Sequence, residues 1–265
     1  MRKHPIIFLL IFSICSRFFA QTDAFKLDFK KDAILLGTGL ALTGSDLILD
    51  DLLEVGRDEY SGQVYDKSDV NSFDRFFMHG YSSSMHTVST ISLASLMVSP
   101  AILLPLSDKS FWPTEIVMYS EVLLIANGIK ELTKLCVDRT RPYMYYDISD
   151  APEDKIDEGD FVNSFMSGHS TMAFASASFL TYTYWKLFPE SSLKIPVAAG
   201  SFAVAALTAV LRVMGGNHFA SDVLVGAAVG TSVGFLVPFL HTFGSGHDNF
   251  QVSPSASGVS FKINF

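Results

Sequence analysis

Six helix-length apolar segments, joined by polar connections, leave this chain few ways to fold. They run Ala33–Leu49, His86–Leu106, Thr114–Cys136, Gly168–Phe188, Lys194–Met214 and Phe219–Phe243. Each is close to the ~20 mostly apolar residues that cross a bilayer. Segments of this length must be buried in one another or in lipid, so the chain reads as an all-α bundle of about six helices. A mean hydropathy of +0.31, high for a soluble enzyme, fits a membrane-embedded bundle. The composition, 49% hydrophobic and 17% charged over 265 residues, excludes disorder, collagen-like repeats and a disulfide scaffold. The net charge of −8 argues against a nucleic-acid partner, which needs a basic stripe.

The start reads as a targeting signal. Arg2, Lys3 and His4 precede an apolar run from Ile6 to Ile14, and Ala20 precedes polar Gln21, Thr22 and Asp23. A basic flank, a short apolar core and a small residue before a polar stretch describe a secretory signal peptide over residues 1–20, cleaved after Ala20. An uncleaved anchor is the other reading. After cleavage Cys136 is the one remaining cysteine, so no intrachain disulfide can form. The chain then divides into an N-terminal helix with an acidic connection (21–85), a helical bundle (86–243) and a tail (244–265). Alternation at Val259, Phe261, Ile263 and Phe265 suggests a short strand in that tail.

The connections are acidic. Asp50–Arg75 holds eight Asp or Glu against three Lys or Arg, and Tyr143–Asn163 holds seven against one. They read as solvated loops, with 151–160 mobile. No connection carries the Lys/Arg excess of a cytoplasmic loop, so charge gives no orientation. With a cleaved signal and six crossings, the bundle end where the third segment finishes would face the cytoplasm. An extracytoplasmic position requires one segment, Ala33–Leu49 or the polar Thr114–Cys136, not to cross.

Three polar clusters carry the chemistry. The first is Lys134, Arg139, Arg141 and Pro142. Pro142 should help end the helix that holds Lys134, leaving Lys134 and Arg141 at the bundle mouth as a point charge and a planar fork, suited to phosphate oxygens. Basic residues at a helix end are the bland alternative. Upstream, Asn127, Lys130, Glu131 and Lys134 share one helix face, and a polar stripe on an apolar helix marks a functional interior. The second cluster is Ser167, Gly168 and His169. Ser167 is an N-cap, the next amides form an anion site, and His169 can hand a proton to a leaving oxygen. A helix cap beside a surface histidine is the competing view. The third is Arg212, Gly215, Gly216, His218 and Asp222. His218 and Asp222, four apart, share a face, which lets a carboxylate accept from one imidazole nitrogen and leaves the other as a nucleophile. His and Asp also ligate metals, but the three clusters hold more cations than carboxylates, which suits an anion. In an antiparallel bundle all three clusters meet at one end.

The pattern resembles the type 2 phosphatidic acid phosphatase (PAP2) superfamily, which includes class A acid phosphatases and vanadium haloperoxidases. Lys134, Arg141 and Pro142 meet its K-x6-RP motif in full. Ser167, Gly168 and His169 meet PSGH with Met166 in place of Pro, and Arg212, His218 and Asp222 meet SR-x5-H-x3-D with Leu211 in place of Ser. These departures remove a backbone restraint and a hydroxyl, not a charged or nucleophilic group. The resemblance implies a PAP2/haloperoxidase-like bundle. It makes His218 the nucleophile that forms a phosphohistidine, Asp222 its orienting partner and His169 the acid and then the base. Lys134, Arg141, Ser167, Gly168 and Arg212 hold the phosphoryl group. No metal and no cofactor is implied. The expected partner is a phosphorylated lipid or a small phosphoester at a membrane in the cell envelope. The alternatives are a soluble periplasmic acid phosphatase of broad specificity, a vanadate-dependent haloperoxidase and a non-enzymatic phosphate or lipid binder.

Overall fold

The computed structural model describes residues 24–53, 60, 62–147, 149, 151, 153–157, 159–243, 250–255 and 258–263. The signal-peptide reading of residues 1–20 lies outside them. Six long helices form the bundle: α1 (Phe29–Leu53), α2 (Ser83–Val98), α3 (Trp112–Cys136), α4 (Gly168–Leu187), α5 (Lys194–Met214) and α6 (Ala220–Leu240). They coincide with the six apolar segments to within a few residues, apart from longer extensions at the ends of α1 and the early stop of α2. Asp28 caps α1 by accepting from the Lys31 amide (3.0 Å). Pro100 ends α2 early, and the chain continues through a 3-10 turn, Ser99–Ile102, and a short helix, Leu103–Leu106. A second short helix, Ser72–Phe77, lies before α2. The tail forms an antiparallel hairpin of β1 (Phe250–Ser255) and β2 (Gly258–Ile263), with Phe250 opposite Ile263. The alternation at 259–263 located β2; its partner β1 carries no comparable alternation.

Helix α4 is the centre. Its residues Ala173, Ala175, Ser176, Ala177 and Phe179 are fully buried. Packing against α6 is closest because Gly226, Gly230 and Gly234 face the α4 backbone. A Cβ on Gly226 would lie 2.7 Å from the Ser167 carbonyl oxygen, and Gly230 and Gly234 sit closer still to the carbonyls of Thr171 and Ala175. Small residues at a spacing of four let two helix backbones touch. Met118, Val122, Phe179, Leu187 and Val237 complete the main core.

Among the described residues, three helical stretches are long and apolar enough to cross a membrane: Ser83–Leu106, Lys194–Met214 and Ala220–Leu240. Helices α1, α3 and α4 are not among them. Helix α3 carries Glu115, Glu121, Lys130, Glu131 and Lys134, so its length is interrupted by charge. Large apolar side chains point outward around the bundle, including Ile34, Ile195, Val210 and Leu224.

Two features set the mouth of the bundle. Helix α3 ends at Cys136, and Val137 is already extended. Pro142 therefore does not end α3; it opens a 3-10 turn, Pro142–Tyr145. What straightens the chain between them is a backbone ladder. Arg139 N donates to Val162 O (2.7 Å), Arg141 N to Phe161 O (2.7 Å) and Ser164 N to Arg139 O (2.9 Å). At the other side, Gly216 has φ +68° and lies against the Gly80 carbonyl, 2.5 Å from where a Cβ would be. No side chain fits that position. The tight turn brings His218 back over α4.

Candidate active site

A cavity of about 330 Å³ opens at this end of the bundle. Its walls include Lys134 and Lys130 from α3, Arg141 and Asp160 from the ladder segments, Gly168, His169 and Met172 from α4, Arg212 from α5, and His218 from the α5–α6 turn. The structure thus brings Lys134, Arg141, Gly168, His169, Arg212 and His218 to one place. Asp222 stands behind His218, and Ser167 is not in the wall. The Ser167 hydroxyl accepts from the Ser170 amide (3.4 Å) as the N-cap of α4.

His218 is buried, and its Nδ1 is 2.6 Å from the Ser164 carbonyl oxygen. A carbonyl only accepts, so Nδ1 carries the proton and Nε2 keeps its lone pair. The spacing of His218 and Asp222 suggested a direct bond, but Nδ1 lies 3.9 Å from Asp222 Oδ2, too far for one. Asp222 instead accepts from the Ser164 hydroxyl (2.6 Å), the Phe219 amide (2.8 Å) and Arg139. The carboxylate holds Ser164, and Ser164 holds the imidazole. Burial, followed by the charges of Arg141 and Arg212, pushes His218 well below the usual histidine range, so it is neutral.

Nε2 of His218 faces Arg141 Nη1 at 3.3 Å. Arg141 is itself buried and is gripped by Asp160, whose two carboxylate oxygens lie 2.9 and 3.0 Å from Nη2 while its carbonyl accepts from Nε (2.8 Å). The 151–160 stretch was expected to be mobile, yet Asp160 is anchored here. A buried guanidinium needs a counter-charge, and that need orders the loop end. Arg212 is buried too; Nη1 contacts His86 Nδ1 (2.9 Å), and its Nε has no hydrogen bond among the described residues. An N–H left in that state is a donor available to an anion. His169 Nε2 meets Thr90 Oγ1 at 3.1 Å, and its ring centroid is 6.3 Å from that of His86. Glu131 sits between Lys130 and Lys134, bonded to the first and 3.3 Å from the second. A Cβ on Gly168 would be 2.6 Å from Lys130 Cδ, so glycine makes room for that lysine stem. Lys130, Lys134, Arg141 and Arg212 against Glu131 and Asp160 leave the cavity with more cations than carboxylates, suited to a doubly charged oxyanion.

Residues outside the sequence motifs complete the site. Arg139 stacks on the Phe219 ring (4.3 Å), bonds Asp222, and donates to Asp74 Oδ2 (2.6 Å) and Ser221 Oγ (2.8 Å). Asp74 also accepts from the Ser221 amide (2.9 Å) and Asn71 Nδ2 (2.7 Å). Burial alone would raise the Asp74 carboxyl, but the bonds from Asn71, Ser221 and Arg139 outweigh it and hold it below the usual carboxylate range. His86, Ser164, Asp160 and Asp74 were missed because each lies far in sequence from the residue it serves. The available signal was that buried arginines and a buried carboxylate must find partners.

A helical bundle whose end holds two imidazoles in a ring of cations suits an oxyanion. Residues 115–243 match the family model of the PAP2 superfamily. A stretch of 79 residues is 39% identical to a lipid A 1-phosphatase of Porphyromonas gingivalis, covering 30% of this chain and 16% of that protein. Another of 117 residues is 32% identical to a PA-phosphatase related-family protein of Dictyostelium discoideum, covering 42% of each. The chain thus spans less than half the length of these curated relatives. Among solved structures, a transmembrane PAP2-type phosphatidylglycerolphosphate phosphatase from Bacillus subtilis aligns with a TM-score of 0.47 and 22% identity, over 79% of this chain and 99% of that one.

Proposed function

We propose that this chain is a PAP2-type phosphatase that hydrolyses a phosphomonoester or diphosphate of a lipid through a phosphohistidine. One observation carries the reading: the His218 Nδ1–H is tied to a carbonyl, so the Nε2 lone pair faces a cation-lined cavity shared with His169. Nε2 attacks phosphorus, and the N–P bond forms as the P–O bond to the leaving group breaks. In the free site burial, followed by the charges of Arg212, His86 and Arg141, pushes the pKa of His169 down to about 3, so it is neutral there. His169 takes up a proton when the phosphate dianion offsets those cations, and gives that proton to the departing oxygen. It then takes a proton from water, which attacks phosphorus, breaks the N–P bond and releases inorganic phosphate. Arg141 holds the Nε2 lone pair in the free site and moves to a phosphoryl oxygen when substrate arrives. Lys134, Arg212 and the Gly168 amide hold the remaining oxygens as charge shifts. Ser167 acts by capping α4, which aims that amide.

The lipid preference rests on three apolar membrane-length stretches and on a second, apolar groove of about 490 Å³. Phe73, Phe77, Val213, Val223 and Leu224 wall this groove, which flanks the turn carrying His218. Phe76, on the same short helix, is 81% exposed, as an interfacial aromatic would be. The site takes an extracytoplasmic position in the cell envelope if α1 or α3 does not cross. The test is phosphate release by detergent-solubilised protein from phosphatidate, an isoprenyl diphosphate, a lipid A phosphate and soluble phosphomonoesters. Higher kcat/KM on the lipids is expected. Equal turnover of soluble esters would make it a broad acid phosphatase, and no release from any substrate would sink the enzymatic reading.

A further inference from the structure

At the other end of the bundle, three ionisable side chains from three parts of the chain meet in the interior. Asp32 comes from the first turn of α1, Glu121 from the middle of α3 and His241 from the residue after α6. Glu121 and His241 are fully buried and Asp32 nearly so. His241 Nδ1 lies 2.8 Å from the Val237 carbonyl oxygen, so it donates there and the neutral ring keeps its lone pair on Nε2. That nitrogen points at two carboxylate oxygens, Asp32 Oδ1 at 3.1 Å and Glu121 Oε2 at 3.3 Å. A lone pair facing two carboxylates is unfavourable unless a proton or a metal ion lies among them.

We propose that Asp32, Glu121 and His241 form a structural site for a divalent first-row transition ion, zinc by preference, that fastens α1 to α3 and the end of α6. Four observations support it. Neither oxygen of Glu121 has a hydrogen bond among the described residues, although the side chain is fully buried. A carboxylate in that state is aimed at a ligand. The three ligand atoms lie within 4.8 Å of one another. A tetrahedral ion with bonds of roughly 2.0–2.1 Å sets its ligand atoms about 3.3 Å apart, close to the two separations above. The outer contacts are those a metal site needs: the Val237 carbonyl fixes the imidazole, and the Asp28 amide donates to Asp32 Oδ2 (2.9 Å). One nitrogen and two carboxylate oxygens suit zinc or manganese better than a soft ion, and zinc binds such a set more tightly. Water would complete the tetrahedron. Lys31 reaches Asp32 (3.8 Å) while bonding the Lys26 carbonyl, and so balances part of the charge.

This site lies well away from the phosphate cavity. Glu121 is thirteen residues before Lys134 on α3, roughly 20 Å at ~1.5 Å rise per residue. The Lys26 amide donates to the His241 carbonyl (2.8 Å), so the same point already ties the N-terminal segment to the end of α6.

The experiment uses full-length protein in detergent, stripped with EDTA and then titrated with Zn²⁺ or Co²⁺. Metal content, the cobalt visible spectrum and the thermal midpoint are read. One tightly held ion per chain, a tetrahedral cobalt spectrum and a Tm several degrees higher with metal are expected. Glu121→Gln, which preserves shape, should lose the ion and the metal-dependent Tm shift, whereas His218→Gln should keep both. No bound ion in the wild type, with an unchanged Tm, would overturn the site and leave a proton shared between His241 and the carboxylates. Loss of the ion in His218→Gln would also overturn it, by placing the metal in the phosphate cavity.

Discussion

His218 and His241 begin from the same local device and end in opposite surroundings. Each is buried, and each donates Nδ1–H to a backbone carbonyl, Ser164 in one case and Val237 in the other. Both therefore present Nε2 as a lone pair. Around His218 that lone pair meets the Arg141 guanidinium, with Arg212 and Lys134 in the same cavity. Around His241 it meets Asp32 and Glu121. A fixed imidazole is thus not a function in itself. The sign of the charges facing it decides whether it attacks a bound anion or helps to hold a cation.

Replacing the proposed nucleophile should break the comparison most sharply. His218→Gln should lower phosphate release by roughly 10⁴-fold or more, with the fold intact by thermal denaturation. His241→Gln should move stability instead, and leave kcat within a few-fold. Comparable kcat losses in the two variants would show that both imidazoles serve one process.

Next in size is Asp222→Ala. It removes the acceptor that Arg139, the Ser164 hydroxyl and the Phe219 amide share, in a position with no exposure. Removing one partner of a buried charge pair costs about 3–5 kcal/mol, and the loosened Ser164 carbonyl should release the His218 tautomer. Unfolding in denaturant should show the loss. A variant with near-wild-type stability and turnover would mean that Ser164 holds the imidazole unaided.

A smaller effect tests the scaffold that keeps the two ends apart. Helix α6 has Asp222 at its start and His241 just past its end, and Gly230 midway lies against the Thr171 carbonyl of α4. Gly230→Ala puts a methyl where the neighbouring atom is backbone, so the helices must separate, at about 1–3 kcal/mol. A lower Tm with parallel loss of turnover is expected. An unchanged Tm would show that α4 and α6 have slack.

Much of this arrangement was legible in the sequence. The six apolar segments gave the six helices, and the spacing of Lys134, Arg141, His169, Arg212 and His218 singled out residues that line one cavity. What escaped was mediated contact. The step of four from His218 to Asp222 is right for a shared face, yet it hides Ser164, which lies between them and comes from another loop. Pro142 looked like a helix terminator because the ladder between Arg139–Arg141 and Phe161–Ser164 has no local signature. Asp160 passed as one acidic loop residue among seven, since nothing near it in sequence announces a buried arginine. The Asp32–Glu121–His241 cluster joins residues as far as 209 positions apart, beyond any spacing rule.

The smallest effect follows from the burial of His218 and the charges around it. Its pKa in the folded protein lies well below the ordinary value of 6.5. Above pH 6.5 the imidazole is neutral whether the chain is folded or not, and it contributes nothing to pH dependence. As the pH falls below 6.5 the unfolded chain takes up a proton that the folded site refuses. Stability is then lost progressively from pH 6.5 down to the folded pKa, by at most ~1.4 kcal/mol per pH unit. Wild type should therefore lose more Tm between pH 7 and 5 than His218→Gln, which lacks the group. Inorganic phosphate in the cavity offsets Arg141 and Arg212 and favours the imidazolium, so its protection of wild type should grow as the pH falls. Equal acid sensitivity of the two proteins, with phosphate protection independent of pH, would show that His218 is neither shielded from water nor held in the field of those arginines.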